Sequence, residues 1–211
     1  MTHRAMQEMM MNPIRLFDYV SPRSEQAKLL SAPKPGVAQL LLFYVLPLSL
    51  IPCITMYLRL YHQFPKLFFD QLPGNRLLMV SAELLFLQLL VVVVMAWITQ
   101  NLAEMVDVKP GFRDALLLMT LATTPLWLTS LFYLVPSLSF NVLVHGVAVL
   151  IAIALVYRGV RYVFGIRERG ALFSLTLAIV CTAGLGFGVI LIGSLISWEA
   201  IEQLQFAVKK L

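Results

Sequence analysis

ALLLMTLATTPLWLTSLFYLVPSLSF, residues Ala115–Phe140, is the stretch whose reading decides the fold class. From Ala115 to Val135 it runs 21 residues without a charge. At about 1.5 Å per residue that is enough α-helix to cross the roughly 30 Å hydrocarbon core of a bilayer. Thr120, Thr123 and Thr124 gather just before Pro125, near the middle of the run. A proline inside a helix removes one backbone hydrogen bond and crowds the carbonyl four residues back. In lipid that carbonyl, here of Leu121, needs another partner, and a nearby hydroxyl or a facing helix supplies it. Pro125 is therefore expected to mark a kink, with the two preceding threonines compensating, and this helix is expected to be central among its neighbours.

Outward from that stretch the whole chain reads the same way. Of its 211 residues 60% are hydrophobic and 13% charged, against about 45–50% and 25% in an average soluble domain. The fold class is all-α: a polytopic membrane protein with a bundle of five transmembrane helices and short interfacial helices at both ends. The expected spans are 37–58, 77–98, 115–135, 140–156 and 171–197, and the fourth, at 17 residues, is at the lower limit for crossing. Pro136 with Ser137 and Ser139 makes a tight uncharged turn, so the third and fourth spans form an antiparallel hairpin.

Residues 1–36 are polar and hold no hydrophobic run suited to a signal peptide. Ser21-Pro22 reads as a helix start, and the helix would end by Pro33 and Pro35. At the other end Trp198, Ile201, Leu204, Val208 and Leu211 recur at three- and four-residue spacing and make one apolar face. That tail, 198–211, reads as an interfacial or partner-binding amphipathic helix.

The net charge of +5 does not point to nucleic acid, because the basic residues stand at span ends and in loops. With the N-terminus cytoplasmic, eleven Lys and Arg lie inside and five outside, which favours a cytoplasmic N-terminus and a periplasmic C-terminus. Cys53 and Cys181 both fall within spans, without CxxC or Cys/His spacing. They read as small packing residues, and neither a metal nor another cofactor is implied.

Polar groups within spans are the candidate intramembrane site: Glu83, Gln88, Thr120, Thr123, Thr124 and His145. Glu83 and His145 share a depth near the outer end and could pair if the second and fourth helices touch. Two readings stand: a proton or ion relay, since imidazole titrates near neutral pH, or a buried pair that sets helix register. Gly184 and Gly188 form a small-xxx-small pair suited to close helix packing, within the bundle or in a homo-oligomer. Arg158, Arg161, Arg167 and Arg169, interleaved with aromatics, are a candidate contact for anionic lipid headgroups, and equally a positive-inside signal. Catalysis finds no support in HExxH, GxSxG or a phosphate-cradling loop.

Several stretches taken together resemble the Yip family, five-span proteins named as Ypt-interacting proteins. DYVSPRSEQAKLLSAPKP resembles the segment before the first span of its small bacterial members, and YVLPLSLIP their first span. ATTPLWLTSLFYLVP and ALVYRGVRYVFGIRERGAL resemble the third span and the junction of the last two. The resemblance implies five helices, a cytoplasmic N-terminus and a bacterial cytoplasmic membrane. Eukaryotic relatives bind prenylated Rab-type GTPases, but this chain has a short tail and no DLYGP-type motif, which argues against that partner. The expected function is therefore non-enzymatic organisation of membrane-protein partners or lipids; the alternative is a small transporter or channel using Glu83, His145 and the Thr-Pro kink.

Overall fold

Apolar runs of this length form helices because a membrane-buried backbone must satisfy its own polar groups. The computed structural model describes residues 35–63 and 74–208, with only the backbone described for 60–63, 74–77, 79, 190–191 and 194–208. The helix expected after Ser21 lies outside the described residues. Helix α1 comprises Val37–Leu40, one π turn at Leu41–Val45 and Leu46–Gln63. It is followed by α2 (Gly74–Glu104), α3 (Phe112–Thr129, continued by a 3-10 turn at Ser130–Leu134), α4 (Leu138–Val163) and α5 (Arg169–Val208). All five are long and apolar enough to span a membrane, and no strand occurs among the described residues.

Two junctions show why the helices stop where they do. After α2, Val108 N–H donates to Ala103 C=O and Asp107 N–H to Glu104 C=O, both at 3.1 Å. Asp107 takes a φ of 58°. That is a Schellman cap with an aspartate in the left-handed position, where Asp is better tolerated than most residues. After α4 the same job falls to Gly165, whose φ is 74°. At the Pro136 turn, the Ser137 hydroxyl accepts from Phe140 N–H at 3.4 Å and starts α4.

The helices exceed the apolar runs that announce them. The fourth spans 26 residues rather than 17, about 39 Å at about 1.5 Å per residue, so it crosses with length to spare. It continues past Arg158 because Val156, Gly159 and Val160 on its inner face are buried while the arginines point outward. Helix α5 runs unbroken for 40 residues, carrying the C-terminal segment as a continuation of the fifth span.

Helix α3 is the axis of the bundle. Two-thirds (67%) of its apolar window is buried inside the protein, against 22–28% for the other four spans. Ala115 through Ala122 are buried without interruption, on every face, as an interior helix requires. It packs most extensively on α4, then α2, and also meets α1. Helix α5 closes the bundle against α4 and α2. The close approach of α3 to α4 is made at Gly159, directly against the Leu118 side chain.

Candidate functional site

The polar groups of the spans divide into three sets. The first belongs to α3. Thr120 Oγ1 donates to Leu116 C=O at 2.8 Å, Thr123 Oγ1 to Met119 C=O at 2.8 Å, and Thr124 Oγ1 to Thr120 C=O at 2.7 Å. None of these hydroxyls turns to Leu121, the carbonyl that Pro125 deprives. A threonine reaches the carbonyl three or four residues back, and Thr124 takes the one four back. The hydroxyls are thus held by their own helix rather than by a neighbour. Thr120 and Thr124 are buried and Pro125 half-buried within a helix that continues through it. Back-bonding of this kind itself bends helices.

The second set ties spans together. Gln88 Nε2 donates to Cys53 Sγ at 3.6 Å, joining α2 to α1. Buried Thr99 donates to Met119 Sδ at 3.6 Å, joining α2 to α3. Both are packing bonds to sulfur, weak acceptors.

The third set gathers at the end of the bundle where α1 and α3 finish and α2 and α4 begin. His145 on α4 meets the Tyr133 hydroxyl, Nδ1 to Oη 3.4 Å. Its other neighbour is Phe187 of α5, with ring centroids 6.3 Å apart. Arg59 stands near the end of α1, at this same end of the bundle. One turn before His145, buried Asn141 donates from Nδ2 to Val135 C=O at 3.0 Å, stapling the Pro136 turn. Its Oδ1 is buried without a hydrogen-bond partner among the described residues. Glu83 is half-buried at the same end. The pairing of Glu83 with His145 considered from the sequence needs α2 and α4 to touch; among the described residues both pack on α3 and on α5, with no extensive contact between them. His145 has Tyr133 as its partner because the 3-10 turn at Ser130–Leu134 returns the tyrosine towards α4.

Tyr133 and Asn141 escape a search for charged residues in spans. Their signal is position: they stand three residues before and five after Pro136, so a tight hairpin brings both to the same end. Arginines 158, 161, 167 and 169 lie at the opposite end of the bundle, all exposed, with Arg161 over the Tyr162 ring at 5.6 Å.

Gly184 and Gly188 are not glycines of close approach among the described residues: nothing described lies within 4 Å of where a Cβ would stand at either. Gly186 faces inward, 3.8 Å from Met95 Sδ. At about 100° per residue, the flanking glycines point roughly 200° away from it.

No curated protein and no solved structure matches the chain. The model of the Yip1 domain family matches residues 17–198, in accord with the five-helix membrane architecture. The chain belongs to the Yip1 domain family.

Proposed function

We propose that this multi-pass protein is non-enzymatic and organises protein partners or lipids in a bacterial cytoplasmic membrane, with its N-terminus cytoplasmic and its C-terminus periplasmic. The observation that supports it best is the state of the hydroxyls in α3. A solute path needs polar groups that face a passage and exchange partners easily. Here Thr120, Thr123 and Thr124 are bonded to their own backbone, inside the most buried segment of the bundle. The Yip1 family is not a known enzyme family. The orientation rests on the bias of eleven basic residues against five.

Reconstitution into liposomes tests the role. No solute or ion flux above empty vesicles is expected, together with recovery of a stoichiometric protein partner or a defined lipid on mild solubilisation. A pH-dependent flux abolished by Glu83→Gln refutes the proposal in favour of a transporter. Reporter fusions at the two termini check the orientation, and both termini on one side would sink it.

A further inference from the structure

Helix α4 is about 9 Å longer than a bilayer's hydrocarbon core, taking about 1.5 Å per residue and about 30 Å for the core. If its Pro136 end begins at one edge of the core, the surplus carries Arg158 and Arg161 into the headgroup layer at the other. Residues 158 and 161, three apart, share a side of the helix. Gly165, with φ 74°, then reverses the chain, and Ile166, 5% exposed, pins the reversal to the core. Arg167 and Arg169 follow at once on the return, Arg169 as the first residue of α5. All four guanidiniums are exposed, and none has a hydrogen-bond or ion-pair partner among the described residues. Glu168 is the only acidic residue between 157 and 170, leaving that turn strongly positive. The turn between α2 and α3, at the same end, carries Glu104, Asp107, Lys109, Arg113 and Asp114 and is close to balanced. Of the two interhelical turns at this end, the α4–α5 reversal therefore carries the positive charge. Tyr157 and Tyr162 supply the amphipathic rings that favour this depth.

We infer that the α4–α5 turn is a binding site for anionic phospholipid headgroups of the leaflet at that end. The inference rests on the organising role proposed above and names the lipid class it gathers. Among the described residues no anion pairs with these four guanidiniums, and a headgroup phosphate matches the donor fork of arginine.

The test uses the full-length protein in vesicles of phosphatidylcholine and phosphatidylglycerol, with the lipids retained after mild solubilisation read by native mass spectrometry. Wild type is expected to enrich phosphatidylglycerol. The double variants Arg158→Gln/Arg161→Gln and Arg167→Gln/Arg169→Gln are expected to lose up to about fivefold of that enrichment per arginine removed. Lys109→Gln/Arg113→Gln at the same end is expected to keep it. Where a double variant inserts wrongly, Arg161→Gln alone, which preserves the basic bias, gives the same readout on a smaller scale. Enrichment that survives both double variants, or falls equally in the Lys109/Arg113 control, overturns the site. Wild-type protein without enrichment overturns it too, while leaving capture of a protein partner, the test of the wider role, unaffected.

Discussion

Gly159→Ala is the most informative single change in this bundle. The added methyl would overlap Leu118 Cδ1 and stand 3.5 Å from Cγ and 3.9 Å from Cδ2. A flexible side chain with open space beside it would swing aside. Leu118 is enclosed: it is 0% exposed, between Leu117 at 1% and Met119 at 3%. The strain must be taken up by moving α4 off α3, across the most extensive helix contact in the protein. Overpacking in a core costs about 1–3 kcal/mol, and with no room for the leucine the upper part of that range is expected. Leu118→Ala alone should cost about 2–5 kcal/mol through lost packing. In the double variant the new methyl enters the space the leucine vacates, so the two costs should not add. A favourable coupling of about 2–3 kcal/mol is expected, within the span seen for residues in contact. The assay is unfolding in mixed micelles of increasing dodecyl sulfate content, followed by Trp127, which is 5% exposed and lies on α3. A Gly159→Ala protein as stable as wild type, or strict additivity in the double variant, would refute the close approach at this site.

Three further outcomes can be read in the same titration. Gly165→Ala should cost about 1–2 kcal/mol from the left-handed backbone alone, since nothing lies within 4 Å of the new Cβ; Gly165→Asn should cost visibly less. Asn141→Ala should cost no more than about 1 kcal/mol, because the lost bond to Val135 is offset by removal of the buried, unpartnered Oδ1. Thr123→Val with Thr124→Val should stay within about 0.5 kcal/mol of wild type, as the bonds lost lie within one helix; a loss well above 1 kcal/mol would show that these hydroxyls serve a neighbouring helix.

The elements of this fold were legible because length and the absence of charge are one-dimensional signals. An uncharged run such as Ala115–Val135 must span and must be helical. The rotation of each helix about its own axis was not legible in the same way. In water an apolar stripe marks the inward face, but in lipid both faces are apolar, and periodicity loses its meaning. Gly184 and Gly188 illustrate the consequence: their spacing is that of a packing motif, yet it says nothing about which way they point, and neither makes a close approach among the described residues. Gly159, which does take the contact, stands alone in an arginine-flanked segment with no motif around it.

Polar residues carry the rotational information that apolar ones lack, and the site was readable to the extent that it was polar. His145 announced itself by type, but its partner is a tyrosine at the end of another span, and an uncharged phenol does not stand out in an apolar run. The depth argument placed Glu83 and His145 at one end, and the structure puts Arg59, Tyr133 and Asn141 there as well. What depth could not supply was adjacency: among the described residues the helices that carry Glu83 and His145 pack on α3 and not extensively on each other. The same helix explains the misassigned threonine bonds. The sequence assigns Thr123 and Thr124 to the Leu121 carbonyl that Pro125 deprives. In the structure they bond to the carbonyls of Met119 and Thr120, so the polar groups of the most buried span are turned onto their own backbone. Contact with lipid and with partners then falls to the outer spans and the bundle's two ends.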